Sequence, residues 1–491
     1  MRRLASLWLA PLALGCGSDG TTTDAILDLD IRIDQAGDGD SAESRGTEMC
    51  VDEDGNIYVI WIDDRDDLPA VWLNRSLDAG ASWLPGAVKV NRGESSVDEA
   101  DIACTTEGVF VAWEDDRDGD IKNHNIYFSV SYDKGETFLE EDVRIDDDPD
   151  GRAYSKGPEL TAVGSNVYLA WFDNASGAYD IYVASSGDAG ASFREPVRVD
   201  SDAAGAAYSA WPQIAATPSG NVYVAWEDSR SGSSDIYFAV SDNSGSSFQP
   251  DVRIDGGDGD GEFGSFNPSL ASDGNDVYVV WHDARHGEGR SIMMNYSPDG
   301  GFDWKSVAER VDSDQAGFFN SVFPDVEVQQ GVAHIVWQDN RDTNYDIYYR
   351  SATSGNLGIE EVSPEHDVAP GFSNSQLPQV ALGDDRLAIA WTDGRVEAQA
   401  GADNGYVDVL YQASTDGGTT FEEEDLRIDV MQAGASYKLD LNVEVYGGLL
   451  FAAWTDGRNG SQDVYFNAVE FGEGVVLPET TESGTLPTTG P

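Results

Sequence analysis

Positive charge is scarce in this chain: 29 lysines and arginines stand against 90 aspartates and glutamates, a formal net charge of −61 over 491 residues. That balance disfavours nucleic acid and anionic membrane surfaces as partners unless a local patch reverses the sign. Apolar length is also in short supply. The run from Leu4 to Leu14 behind Arg2 and Arg3 is too short to cross a bilayer and reads as a secretory signal over residues 1–15. Nothing in the chain has the pattern of a long amphipathic helix. Cysteine is nearly absent, and setting Cys16 aside leaves only Cys50 and Cys104. In an exported, oxidising setting these two form an even pair, open either to a disulfide or to two buried thiols, because bonding needs Cα atoms within about 7 Å.

What the chain does have is 53 glycines, 10% aromatics and 40% hydrophobic residues, the composition of many short strands joined by turns. Trp61, Trp113, Trp171, Trp226, Trp281, Trp337, Trp391 and Trp454 recur at a period near 55 residues, which marks a repeat architecture. Each tryptophan ends an alternating run such as "NVYVAW"; an acidic turn, a second run such as "DIYFAVS", a glycine turn and a short "VRID" follow. With a run before each tryptophan strand, such as "PQIAA", every repeat holds four strands, the content of a β-propeller blade. No "VRID" follows the last repeat, whereas "IRID" at Ile31 to Asp34 precedes the first. The expected fold is therefore an all-β, eight-bladed propeller over residues 28–471, its last blade completed by the N-terminal strand. Seven blades plus an irregular third repeat is the alternative. Residues 16–27 read as a tether and 472–491 as a disordered Pro/Thr-rich tail. The tail's LPTTG is similar to a sortase signal but lacks the hydrophobic and basic residues that should follow.

The turn between the third and fourth strands carries SxDxGxxF/W in five full copies, centred on Asp78, Asp133, Asp188, Asp299 and Asp416, with Asn243 in a sixth. These copies resemble the Asp-box, the bacterial neuraminidase repeat of sialidases and other propellers. Physically the Asp accepts backbone N–H groups across a tight turn, the Gly permits a positive φ and the aromatic seals the blade. These aspartates are expected to be structural and to lie opposite the binding face. At the other end of the chain, "LALGC" looks like a bacterial lipoprotein signal, which implies acylation of Cys16 and a location at the cell envelope or cell surface. Ordinary cleavage before Cys16 is the other reading.

Between the second and third strands runs WxDxR: Asp63 with Arg65, Asp115 with Arg117, Asp228 with Arg230, Asp283 with Arg285, Asp339 with Arg341, Asp393 with Arg395 and Asp456 with Arg458. Only the third repeat departs, with Asp173 and Ala175. Because catalysis needs one site and a fastener is needed in every blade, repetition favours one Asp–Arg bridge per blade over a ligand-binding ring. Function is then expected where the repeats differ, in the connections that open on the same face. Tyr154, Tyr208, Trp211, Phe263, Phe266 and Phe323 stand there along one arc as candidate ligand contacts, and acids occupy the other arc.

The Asp-box resemblance implies a sialidase, with three arginines clamping the substrate carboxylate, a Tyr nucleophile and an Asp acid/base. The family's Arg-Ile-Pro signature is absent, six blades are usual there, and no particular three arginines stand out. No catalytic residue is assigned. The reading favoured is an exported, surface-anchored, monomeric propeller that binds a glycan or an extracellular protein, with sialidase-like or other glycoside hydrolase or lyase activity second. Calcium is the one cofactor suggested, through the acidic loops at Asp115, Asp255 and Gly37; the plainer view is that these loops are solvated. His282, His286 and Glu288 offer only weak evidence for zinc.

Overall fold

The computed structural model describes residues 29–471, apart from 35–41, 119–122, 148–152, 359, 367–369, 384–385, 400–404, 431–433 and 435, together with Val475–Val476. Cys16, the leader and tether, and the Gly37 loop lie outside the described residues. The strands form eight antiparallel sheets, the first seven running in chain order from the innermost strand outward. Blade four is representative, with Ser209–Ala216, Val222–Asp228, Asp235–Ser241 and Val252–Arg253. The third repeat has the full four strands, so the seven-blade alternative is excluded. Ile31–Arg32 pairs with Phe466 and Tyr465 as the outer strand of blade eight, closing the ring between chain ends. One short helix, Arg395–Gln399, sits in a turn of blade seven. Val475–Val476 pairs with Leu426–Arg427 as a fifth strand of blade seven, whose outer edge leaves backbone groups open to pairing.

Second strands such as Ile57–Asp63 and Val222–Asp228 are buried along their whole length, since each face of a blade is covered by the next blade. Trp61 packs with Phe451 and Phe466 of blade eight, and the same arrangement repeats around the ring. On the face carrying the SxDxGxxF/W turns, Asp78 accepts the N–H of Ser82 at 2.8 Å and Ser76 Oγ accepts that of Gly80 at 2.8 Å. Gly80 is required there: its φ is +88°, and a Cβ would lie 2.3 Å from Phe466. The turn aromatic then packs on the third strand of the preceding blade, Trp83 on Phe466 at 4.8 Å and Trp304 on Phe238 at 4.7 Å. Asp133, Asp188, Asp299 and Asp416 bond their turns in the same way.

The WxDxR turn is a denser fastener than a simple bridge. In blade four, Asp228 Oδ2 accepts Trp226 Nε1 at 3.1 Å, Ser209 Oγ at 2.9 Å and Arg230 Nη2 at 2.5 Å; Oδ1 accepts Arg230 N and Nε. The pair is therefore internal to the turn, and the guanidinium makes the link between blades. Arg230 continues to Asp251 at 2.7 Å, which accepts the Ser201 N–H of blade three. Arg117 reaches Asp142, Arg341 Glu361, Arg395 Asp425 and Arg458 Asp30, and each of these acids likewise receives a backbone N–H from the preceding blade. Blades one and five have Ala87 and Ala308 at the position of that acid, and there Arg65 and Arg285 bond directly to the preceding blade's carbonyls at Asp34 and Asp255. Arg117, Arg230, Arg341 and Arg458 also lie 3.9–4.0 Å over a tyrosine of their own blade. Replacing Arg230 with Ala leaves the buried Asp228 uncompensated and should cost roughly 3 kcal/mol of stability. The check is the denaturant midpoint; an unchanged midpoint would contradict the fastening role.

Candidate functional site

The innermost strands line the central channel, and each enters it through a bulge. Pairing with the second strand slips between Arg45 and Glu48, Val97 and Ala100, Lys156 and Glu159, Ala210 and Gln213, and at the matching place in the other four blades. At the bulge Gly46, Gly157, Trp211, Asn267, Phe323, Leu377 and Asp440 all adopt φ between 49° and 58°. For a tryptophan, phenylalanine or leucine this is an outlier, costing on the order of 1–3 kcal/mol. Neighbouring blades hold it in place: Glu114, Glu227 and Gln338 accept the N–H of Gly157, Asn267 and Leu377 at 2.8–2.9 Å. Blade two alone fills its bulge with acids, Asp98 and Glu99, without a left-handed residue.

The bulges open onto two adjoining depressions at the channel mouth, on the face of the WxDxR turns. One, of about 360 Å³, is lined by Trp211, Asn267, Phe323 and Leu377 and reaches Glu99 and Glu159. The other, of about 380 Å³, is lined by Glu48, Asp98, Glu99, Asp101 and Glu159 with Arg45. Trp211 is 49% exposed while one side packs on Phe172 at 5.3 Å, and Phe323 is 44% exposed beside His282. Of the six aromatics expected to bind ligand, only Trp211 and Phe323 share a depression. Tyr208 packs against Tyr179, Phe266 against His282 and Tyr154 against His124, and Phe263 lines neither depression. Asn267, Leu377, Glu99 and Glu159 were missed; for Asn267, Leu377 and Glu159 a serine three residues before a proline is the signal, since that serine bonds the aspartate ending the second strand and starts the strand that bulges, whereas blade two, which carries Glu99, has no proline there.

Past the bulge the inner strands place alternate residues in the channel. Glu48, Asp101, Glu159, Gln213, Ser269, Asp325, Gln379 and Asn442 stand at one level. Burial raises the Glu48 carboxyl to about 8, with Asp101, Asp440 and Glu99 adding repulsion. Burial likewise raises Asp101 to about 6, and burial with the neighbouring Glu114 raises Glu99 to about 7. Glu159 is lifted by burial and by Asp101, Glu48 and Glu99. Deeper down, burial holds Glu327 near 8 and Glu444 near 7. Just outside the acidic depression, Glu114 bonds His124 at 2.8 Å with Lys156 at 3.6 Å, a group without an equivalent in the other blades.

Asp98, Glu114 and His124 are close enough to hold a metal ion, although the Lys156 ammonium already supplies positive charge there. The Asp255 loop, expected to offer oxygens to calcium, instead wraps Arg253, which bonds Asp255, Asp258 and Asp260 at 2.5–2.6 Å. Asp115 is engaged by Arg117. His282, His286 and Glu288 do not converge as ligands; His282 is buried, and burial and Arg290 push its pKa down to about 4. Cys50 and Cys104 are joined in a disulfide between the inner strands of blades one and two, with Cα atoms 6.0 Å apart.

The fold and the mouth define an eight-bladed propeller with a mixed aromatic and acidic entrance to its channel. The sequence matches no protein-family model and no curated protein. Among solved structures it is similar to the polysaccharide lyase Uly1, at TM-score 0.50 and 10% identity over 80% of this chain and 94% of that one. A Penicillium chrysogenum alpha-L-arabinanase complexed with arabinobiose gives 0.41 and 16% over 66% and 94%, and the phage phi92 endosialidase 0.40 and 11% over 82% and 74%. At these identities the likeness to the lyase is one of fold.

Carboxyls raised in the folded state bind protons that the unfolded chain releases at lower pH, so their contribution is full below about pH 4.5 and is lost as pH rises through 6 to 8. Stability should therefore fall between pH 6.5 and 8.5, and Glu48→Gln and Glu327→Gln should each flatten that slope. Thermal melts across this range provide the check; a slope unaltered in both variants would contradict the burial of these carboxyls.

Proposed function

We propose that this propeller is an exported, surface-displayed module that binds a glycan across the mouth of its channel. The observation that carries the reading is the pair of half-exposed aromatics, Trp211 and Phe323, held on strained backbone over one depression. Flat rings rigidly presented beside polar groups suit the apolar faces of pyranose rings, whose hydroxyls meet Gln213, Asn267 and Ser269. A volume of about 360 Å³ is in the range of small-ligand sites. The Asp-box resemblance and the lipoprotein-like signal at Cys16 support display at the cell envelope.

Cleavage of the bound glycan is the second reading, favoured by the unrepeated Glu114–His124–Lys156 group beside the mouth. A proton donor and acceptor so placed suit hydrolase or lyase chemistry. A sialidase-type clamp has less support, because the seven WxDxR arginines are each engaged by the aspartate of their own turn.

A soluble chain starting at Thr21 should bind neutral polysaccharides in an immobilised panel. Trp211→Asn and Phe323→Asn, which install the residue blade five already carries at Asn267, should each weaken binding at least ten-fold, about 1.4 kcal/mol. Melting temperatures verify folding, and undiminished binding by both variants would overturn the assignment. Release of reducing ends or of unsaturated products would establish the second reading.

A further inference from the structure

The two depressions share Glu99 and Glu159, so a sugar stacked on Trp211 and Phe323 directs its substituents toward carboxylates. Three classes of glycan can be weighed against that geometry. A uronic acid or sulfated sugar would bring negative charge to a mouth already holding Glu48, Asp98, Glu99, Asp101 and Glu159, with Arg45 the one basic residue lining the acidic depression. Lys156 stands outside that lining and is turned to Glu114. A neutral sugar would fill the aromatic depression and leave the acidic one with water alone. A protonated amine satisfies both, its ring on the aromatics and its three N–H donors on carboxyl groups that release their protons to solvent as the ammonium replaces them.

We infer that the mouth selects glycans bearing free amino groups, with Trp211 and Phe323 stacking the ring and Glu99 and Glu159 receiving the ammonium. This inference rests on the glycan-binding reading and narrows it to a substrate class. Chain chemistry agrees with it, since a net charge of −61 attracts cationic polymers over long range and repels anionic ones.

The test is calorimetric titration of the soluble chain with a hexamer of β-1,4-linked glucosamine, with its fully N-acetylated counterpart and with a hexamer of galacturonic acid, at 50 and 300 mM salt. The free-amine hexamer should bind at least ten-fold tighter than the acetylated one at low salt, and this margin should shrink at high salt. Glu99→Gln combined with Glu159→Gln should bring the two hexamers to equal affinity, whereas Trp211→Asn should weaken both. Equal affinity in the unaltered protein would overturn the amine selectivity and leave glycan binding standing. Binding of none of the three would overturn this inference, and failure across the neutral panel as well would overturn the reading beneath it. Preference for the uronate would overturn the inference outright.

Discussion

One buried carboxylate, repeated once per blade, organises the loop face of this molecule. In most blades the aspartate at the end of the second strand gathers an indole N–H, a serine hydroxyl, a backbone amide and a guanidinium. A charged group taken out of water is tolerated only when its lone pairs are met, and here the tryptophan two residues before and the arginine two residues after meet them together with a serine 18–20 residues away on the inner strand. The core tryptophan is thereby aligned, the inner strand of the same blade is anchored through its serine, and the arginine is aimed at the blade before. Blade three departs from the pattern: Ala175 replaces the arginine while Ser155 still bonds Asp173, and the Trp171 indole, like that of Trp337 in blade six, is buried without a hydrogen-bond partner.

The same logic accounts for much of the acidic composition. Arginines are few and each serves several carboxylates: Arg253 meets Asp235, Asp255, Asp258 and Asp260, and Arg198 meets Asp180, Asp200 and Asp202. Asp200 and Asp312 are pushed up to about 8 by burial and by a neighbouring aspartate, so protons supplement the scarce guanidiniums. Acid-rich loops that resemble calcium sites in one dimension are in three dimensions shells around an arginine.

The fold was legible to the extent that it is periodic. Eight tryptophans, the displaced IRID and the SxDxGxxF/W turns each repeat a local physical requirement, and a repeated requirement leaves a repeated residue. The link between blades was written in the sequence but went unread: Asp142, Asp251, Asp425 and Asp30 each stand immediately before a VRID-type strand, with Glu361 at the same place before the divergent Val362, and nothing local shows that this acid meets the WxDxR arginine. The bulges were hidden for another reason. Left-handed backbone normally announces itself by glycine or asparagine, but here Trp211, Phe323 and Leu377 adopt it at the inner-strand bulge, where Gln338 of the neighbouring blade holds the N–H of Leu377. Hence the sequence pointed to Trp211 and Phe323 as aromatics in the connections where the repeats differ, but not to Leu377 or Asn267 beside them.

The acidic half of the mouth has a mechanical consequence. Glu48 and Asp101 repel one another across the gap between blades one and two, and Glu99 and Glu159 add to the crowding. Inner strands elsewhere meet such polar positions with neutral or bonded partners, as Asn442 does for Glu48 and Ser269 for Asp325. Between blades one and two no such partner stands at that level. The disulfide is at this junction: Cys50 follows Glu48 by two residues and Cys104 follows Asp101 by three, so the covalent link lies directly beneath the repulsion. A 54-residue separation gives it on the order of 4 kcal/mol by loop-closure entropy, which adds to the bonds that Asn442 makes to Glu48 and that the Leu160 and Ile102 N–H groups make to Asp101. The single disulfide among the described residues thus reinforces the scaffold at the junction where Glu48, Glu99, Asp101 and Glu159 crowd together, and the same crowding and burial keep these carboxyls protonated to higher pH than free ones.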